Sequence, residues 1–325
     1  MNTWLTDTFK IKFPIILAPM FLVSNTLMLI EASKAGIMGC IPSLNFRTPE
    51  DFEKALIDLQ KNCPGAYGVN LIVNKSNVFL KQHLLLLEKY PPHFVITSLG
   101  SPKEIIDKLS IKGVRIICDV TDLKYAKKVE SLGADAVIAV NSGAGGHRGD
   151  IPSSVLIPLL KQHIKIPIIS AGGIATGSGV LSMLSLGAQG CSIGSPFIAS
   201  LESDVNQQYK EAVIKYGAED IVLTSKISGT PCTVINTPYQ QKVGTQLNFF
   251  EKLLTKNKQL KKYVKMLTYY KGMKLIEKAA FSATYKTIWC AGPSIEFSKE
   301  IETIESIVKR FIKEYEVAKS KLFER

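Results

Sequence analysis

The sequence predicts a TIM-type (β/α)8 barrel with a C-terminal helical cap, and three observations support this α/β fold class. Eight short apolar runs, each followed by a stretch with helical spacing, occupy about the first 200 of the 325 residues. The apolar runs are continuous rather than alternating, as in parallel strands that are buried on both faces. Glycine or proline separates the units. Eight such units close naturally into a barrel, whereas a doubly wound sheet, the second choice, usually has fewer.

The predicted strands follow one another at regular intervals along the chain. They cover residues 14–20, 37–43, 66–72, 93–99, 115–120, 136–141, 167–173 and 190–197. Two of the intervening helices begin with a capping residue directly before a proline, at Thr48-Pro49 and at Ser101-Pro102. A glycine follows four of the helical stretches, as is typical of helix C-termini: Gly36, Gly113, Gly133 and Gly187.

The βα pattern stops near residue 225. Residues 225–290 include a long basic stretch with helical character, and we expect them to form a helical cap over the barrel mouth. The flanking ranges 1–224 and 291–325 are assigned to the barrel. Residues 298–322 have apolar side chains at helical spacing and predict a helix that closes the barrel; these side chains are Ile301, Ile304, Ile307, Val308, Phe311 and Ile312.

Composition restricts the possible classes of protein. The formal charge is +12, so acidic partners are considered. The six cysteines are scattered, and no Cys/His group has the spacing of a zinc site. The N-terminus lacks the pattern of a secretion signal, and no run of about 18 apolar residues occurs. We therefore expect reduced cysteines, a cytoplasmic location, no membrane insertion and no metal.

The loops after the predicted strands should form the active face of such a barrel. The turns after strands 7 and 8, "SAGGIATGSG" and "SIGSPF", carry glycines and lead into helices. Backbone N–H groups in such turns bind anions, so we expect a phosphorylated ligand there. Four further residues of the same rim complete the expected cofactor contacts: Asp119, Gly146, Ala171 and Gly172.

The loop "NSGAGGHRGD", Asn141 to Asp150, contains four glycines and His147. Glycines allow a backbone to lie flat against a planar ligand. His147 would then be a titratable group beside that ligand, and imidazole is suited to proton abstraction near neutral pH. For the other histidines, His83, His93 and His163, we expect structural hydrogen bonds instead.

Five motifs in their order along the chain resemble the nitronate monooxygenase (2-nitropropane dioxygenase) family. They are "FPIILAPM", "GVNLI", "GADAVIAVNSGAGGHRGD", "PIISAGGIATGSGVLSMLSLGAQGCSIGSPF" and "KISGTPCTVINTP". The resemblance covers most of the chain. It implies a TIM barrel that binds FMN and oxidises alkyl nitronates with molecular oxygen.

The resemblance also implies roles for individual residues. His147 matches the family's histidine, which acts as a base or electrostatic partner. The residues that match flavin-contacting positions are Ala18, Pro19 and Met20 beside the ring, Asn70 and Gly145, and Gly173, Ser192, Ile193, Gly194 and Ser195 at the phosphate. The chain departs from the family's "QG-x-EAGGH" pattern, with Val140 or Asn141 in the position of the glutamine. Pro196 also replaces a common basic residue.

Two other functions remain open at this point. Flavin-dependent enoyl-acyl-carrier-protein reductases share the scaffold and use NAD(P)H. A run of nine lysines against one acid, Glu251, between Lys242 and Lys274 would attract an acidic carrier protein or a CoA ester, although it also suits a solvated helical face. Without a recognition fold beside it, this run does not predict nucleic-acid binding. The other alternative is a flavin-binding protein without turnover. In each enzymatic case the substrate is a small molecule.

Overall fold

The computed structural model describes residues 2–74, 77–226, 231–246 and 288–323. Its strands, in chain order, are β1 Ile15–Leu17, β2 Met38–Pro42, β3 Tyr67–Ile72, β4 Phe94–Ser98, β5 Arg115–Val120, β6 Ala136–Val140, β7 Gly146–His147, β8 Ile168–Ala171, β9 Cys191–Ile193, β10 Ile221–Thr224 and β11 Cys232–Ile235.

Eight of these strands close into a barrel in the order β1-β2-β3-β4-β5-β6-β8-β9, and β9 pairs with β1 in parallel. Each barrel strand lies within one of the eight predicted apolar runs. The barrel is therefore confirmed, and the doubly wound sheet is wrong. A separate three-stranded sheet has the order β10-β11-β7.

Helices surround the barrel. They are α1 Trp4–Phe9, α2 Thr26–Lys34, α3 Pro49–Asn62, α4 Leu80–Lys89, α5 Lys103–Leu109, α6 Leu123–Ser131, α7 Ser153–His163, α8 Gly177–Ser185, α9 Gln207–Lys215, α10 Pro238–Val243 and α11 Ile304–Phe323. One hydrophobic cluster joins Leu5 and Phe9 of α1 to strand residues such as Ile16 and Phe94. A larger cluster lies between the strands and the outer helices.

The local signals for helix ends were mostly right. The Thr48 side chain accepts a hydrogen bond from the Asp51 N–H and caps α3. The expectation for Ser101 is wrong, because Pro102 directly precedes α5 and that helix start has no side-chain cap. The four glycines after helical stretches have φ values between 79° and 107°, a range that L side chains rarely adopt.

The last helix, α11, confirms the expected closing helix. It packs against α8 and α2, with Ile304, Ile307, Val308 and Phe311 buried. Ile301 precedes the helix rather than belonging to it. The Gly177 N–H donates to Glu314 Oε2 at 2.7 Å, which ties the start of α8 to α11.

The predicted helical cap lies largely outside the described residues, since residues 247–287 carry most of it. The described part of the range 225–290 contains β11 and α10. None of the described helices is both long and apolar enough to cross a membrane.

Candidate active site

Backbone pairing holds the histidine loop in place. Gly146 and His147 form β7, which pairs antiparallel with β11: His147 lies opposite Cys232, and Gly146 lies opposite Thr233. The Thr233 hydroxyl donates to the Ala144 carbonyl at 2.8 Å and is 3.2 Å from that of Gly146. The segment "KISGTPCTVINTP" therefore supplies a strand that supports the loop. The sequence reasoning identified the segment by resemblance but missed this pairing.

Several glycines of the rim are required by contacts within the protein. A Cβ atom on Gly145 would lie 2.7 Å from the Gly292 nitrogen, and one on Gly143 would lie 2.9 Å from the Gly173 Cα. A Cβ on Gly172 would lie 2.5 Å from the Ala144 nitrogen. These positions accept no side chain because one loop backbone lies directly against another.

Gly146 and Gly173 differ from these glycines. Both have left-handed backbone, with φ of 70° and 72°. A Cβ on Gly146 would meet no atom within 4 Å, and one on Gly173 would have its nearest contact at 3.6 Å, from the Gly143 Cα. Their α-carbons therefore face open space on the rim.

Asn141 links the loops that follow β6 and β8. Its side chain is buried, and its amide nitrogen donates to the Gly172 carbonyl at 2.9 Å. Its Oδ1 atom accepts from the Gly143 N–H at 2.8 Å. The asparagine that stands near the family's glutamine position thus joins two glycine turns to each other.

The turns after β8 and β9 present backbone donors. Within the described ranges, the N–H groups of Gly173, Gly194 and Ser195 make no hydrogen bond to the protein. The Ser195 hydroxyl accepts from the Gly292 N–H at 2.9 Å. This contact with the C-terminal range 288–323 was not predicted from the sequence. Ser192 and Ile193 lie in β9, directly before the turn, and their side chains are buried.

The segment after β1 lies beside these turns. The Ala18 N–H donates to the Ile193 carbonyl at 2.8 Å, and Met20 lies 3.4 Å from the position of a Cβ on Gly194. Ser24 binds this segment twice: its hydroxyl accepts from the Met20 N–H and donates to the Ala18 carbonyl. A cavity of about 350 Å³ lies next to the segment, towards α2 and α3.

Asn70, Ser98 and Asp119 form a hydrogen-bonded row at the ends of β3, β4 and β5. The Asn70 amide nitrogen is 2.8 Å from Ser98 Oγ, and Ser98 Oγ is 2.5 Å from Asp119 Oδ2. Burial raises the pKa of Asp119 to about 6, although the hydrogen bond from Ser98 opposes this rise. Asn70 and Asp119 were expected on the rim as separate contacts, and Ser98 connects them.

His147 stands at the same end of the barrel. The residue is exposed to solvent, yet the surrounding protein desolvates the ring and lowers its pKa. A lowered pKa favours neutral imidazole at pH 7, which is the form that can accept a proton.

The remaining histidines have different environments. His93 Nδ1 accepts from the Tyr67 N–H at 3.3 Å, and His163 Nδ1 is 2.9 Å from the Leu159 carbonyl, as expected for structural hydrogen bonds. The same expectation is wrong for His83. In the described part of the chain its ring nitrogens have no hydrogen-bond partner, and the ring packs against Phe52 and Phe79.

Comparison with known proteins decides the family. The model described as nitronate monooxygenase matches residues 68–314, more than half of the chain. The chain belongs to the nitronate monooxygenase family. Members and relatives of this family are oxidoreductases, and so is this chain; family membership also implies a flavin cofactor.

Three relatives show the range of this similarity. A protein of Rhodococcus jostii (strain RHA1), named (3aS,4S,5R,7aS)-5-hydroxy-7a-methyl-1-oxo-octahydro-1H-indene-4-carboxyl-CoA dehydrogenase, is 30% identical over 237 residues, which cover 73% of this chain and 66% of the relative. A probable nitronate monooxygenase of Staphylococcus haemolyticus is 30% identical over 283 residues, which cover 73% of this chain and 79% of the relative. The structure of FabK from Thermotoga maritima superposes with a TM-score of 0.87 at 28% identity, covering 100% of this chain and 99% of FabK.

The residues of the rim fit a flavin. Backbone N–H groups without protein partners suit a phosphate, and the open faces of Gly146 and Gly173 leave room for a flat ring. Among the described residues, no group of three or more His, Cys, Asp or Glu side chains is arranged to hold a metal ion.

Proposed function

We propose that the chain is an FMN-dependent nitronate monooxygenase that oxidises alkyl nitronates and nitroalkanes with molecular oxygen. The observation that carries this proposal is the placement of His147. The β7–β11 pairing holds it on the rim that also carries the turns with unbonded N–H groups. When bound, the flavin supplies the electron transfer from substrate to oxygen, and the protein supplies position and charge.

The proposed coenzyme contacts divide into three groups. The phosphate would bind the N–H groups of Gly173, Gly194 and Ser195, with the backbone of Ser192 and Ile193 behind them. The ring would lie against the backbone of the β1 end and of the histidine loop, at Ala18, Pro19, Met20, Gly145 and Gly146. The remaining contacts would come from Asn70, Ala171 and Gly172, with Asp119 standing behind Asn70 in the hydrogen-bonded row.

His147 would act on the proton of the substrate. Its neutral imidazole takes the acidic α-proton of a nitroalkane, and the resulting imidazolium stabilises the nitronate anion. The lowered pKa of His147 places the acidic limb of the pH profile below the ordinary histidine value of about 6.5.

Replacement of His147 tests this proposal. We expect His147→Ala to bind flavin with unchanged stoichiometry and to lose about 10²–10⁴-fold in kcat/KM on a neutral nitroalkane. A nitronate formed beforehand needs no proton abstraction, so its turnover should fall much less. His163→Ala, at the exposed end of α7, is the matched control. Unchanged turnover of the nitroalkane by His147→Ala would remove this residue from the mechanism.

A second candidate function is the reduction of enoyl thioesters with NAD(P)H. The similarity to FabK over the whole chain and to a CoA dehydrogenase favours it. The lysine run, most of it outside the described residues, would attract an acidic carrier protein or a CoA phosphate.

Anaerobic bleaching of the flavin distinguishes the candidates. Bleaching by a nitronate without nicotinamide supports the monooxygenase. Reoxidation of NADPH-reduced enzyme by crotonyl-CoA supports the reductase. A flavin that neither a nitronate nor NADPH bleaches indicates the third alternative, a flavin-binding protein without turnover.

A further inference from the structure

In the row Asn70, Ser98 and Asp119, the donor and the acceptor of each hydrogen bond can be assigned. The Asn70 amide nitrogen donates to the Ile96 carbonyl at 3.1 Å as well as to Ser98 Oγ at 2.8 Å. A carbonyl oxygen only accepts hydrogen bonds. The nitrogen of the Asn70 amide must therefore face Ile96, and both of its hydrogens are used within the protein.

The same logic orients Ser98. Because Ser98 Oγ accepts from Asn70, its own hydrogen is available to Asp119 Oδ2, 2.5 Å away. An ionised carboxylate only accepts, so it completes a one-way row from Asn70 through Ser98 to Asp119. The Asn70 Oδ1 atom is left over, and no described residue donates to it.

We propose that Asp119, acting through Ser98, is the positioning residue that keeps Asn70 oriented as a hydrogen-bond acceptor for an N–H or O–H group of the flavin. This inference rests on the proposed flavin enzyme. It specifies that at one contact the protein accepts the hydrogen bond and the flavin donates it. A ligand with an acceptor at this point would face an unpaired oxygen, which is costly at a buried site.

The charge state of Asp119 determines the direction of the Ser98 hydroxyl, because an ionised carboxylate only accepts hydrogen bonds. In the described residues Asp119 has no ion-pair partner, and the titratable groups coupled to it are the thiols of Cys40 on β2 and Cys118 on β5. Burial raises the pKa of both thiols, so they stay neutral. With a pKa of about 6, Asp119 is mainly ionised at pH 7.5 and mainly protonated at pH 5. Once protonated, it no longer requires the hydrogen of Ser98.

A double-mutant cycle on flavin affinity tests the proposal. The measured quantity is the Kd for FMN and for riboflavin, from quenching of flavin fluorescence, in the full-length protein. We expect Ser98→Ala to weaken binding about 5- to 20-fold and Ser98→Thr, which keeps the hydroxyl, to restore it. Thr97→Val is the matched control on the same strand. It loses only a bond to Cys118 and should leave the Kd unchanged.

The cycle is completed in the Asn70→Ala background. If Ser98 and Asp119 act through Asn70, then Ser98→Ala and Asp119→Asn change the Kd there by less than about twofold. The proposal would be overturned if these substitutions raised the Kd as much in the Asn70→Ala background as in the wild type. Ser98 or Asp119 would then act on the flavin directly or on the fold. A wild-type protein that binds no flavin at all would instead contradict the proposed function.

The pH dependence gives a second readout, which a purely structural role would not change. The ratio of the Kd of Ser98→Ala to that of wild type should approach 1 as the pH falls from 7.5 to 5. Taking this ratio cancels the titration of the FMN phosphate and of His147, since both proteins share them. A ratio that stays constant over this range contradicts the role of Asp119.

Discussion

At the scale of single residues, His83 shows how strongly the surroundings decide a side chain's behaviour. It is fully buried, and burial lowers its pKa to about 4. The same residue in an unfolded chain titrates near pH 6.5. The unfolded state therefore binds more protons than the folded state between these values, and folding stability falls as the pH falls from about 6.5 to about 4.

Replacement of His83 should remove this acid sensitivity. Between pH 6.5 and 4 the wild type should lose up to about 3 kcal/mol of unfolding free energy through this residue. His83→Leu should show a flatter dependence in urea unfolding followed at several pH values. His163→Leu is the control, since His163 is exposed. If His83→Leu and wild type lose stability in parallel, the buried neutral state of His83 is wrong.

Sequence reasoning placed single residues better than it described their contacts. His147 and His83 could be separated because one lies among glycines after a strand and the other lies in an amphipathic run. That His83 would lack hydrogen-bond partners could not be predicted, because its aromatic neighbours come from α3 and from the turn before α4. Gly145 and Gly172 were expected to contact the cofactor, and the sequence did not show that backbone contacts within the protein also require glycine at both positions.

At the scale of elements, the β7–β11 pairing is central to the site. Thr233 connects the two strands through its hydroxyl, and valine has nearly the same shape without the donor. We expect Thr233→Val to cost about 1–2 kcal/mol locally. Amide hydrogen exchange at residues 146–147 should accelerate about 5- to 30-fold while exchange in the barrel strands stays unchanged.

Thr224→Val provides the matched comparison in the same small sheet. Thr224 lies opposite Cys232 on β11. Its hydroxyl donates to the Thr245 carbonyl at 3.3 Å and not to the histidine loop. Its replacement should leave exchange in the loop unaltered. Equal acceleration by both variants would mean that the sheet opens as a whole and that Thr233 has no particular role in β7.

The barrel strands were predictable, whereas this small sheet was not. Each barrel strand is a continuous apolar run, a signal contained within a few neighbouring residues. The strand β7 has two residues, one of them glycine, and its partner lies more than 80 residues later. Neither segment has a periodicity that specifies the other, so only the folded chain shows their pairing.

At the scale of the whole molecule, the contact between α8 and α11 joins the end of the chain to the barrel. A Cβ on Gly177 would overlap backbone atoms of Phe311 and Tyr315. We expect Gly177→Ala to lower the free energy of unfolding by about 1–3 kcal/mol, because the two helices must move apart. Urea unfolding monitored by circular dichroism measures this loss.

Gly179→Ala, one half-turn further along α8, is the matched control. A Cβ there would make only ordinary contacts, at 3.4 to 4.0 Å, and alanine is the better helix former by about 0.5–1 kcal/mol. It should therefore leave stability unchanged or raise it. If Gly177→Ala were as stable as Gly179→Ala, the helices would not be in the tight contact described.

The chain leaves the small sheet after β11 and α10 and returns beside the same strand. The Ile235 N–H donates to the Trp289 carbonyl at 2.9 Å, and Val234 bridges to Cys290. Ile235 and Trp289 therefore adjoin each other although more than 50 residues separate them along the chain. Closing a longer excursion costs little extra entropy, about 0.6 kcal/mol for each doubling. Insertions or deletions between these two points should be tolerated in evolution and in engineering without disturbing the histidine strand.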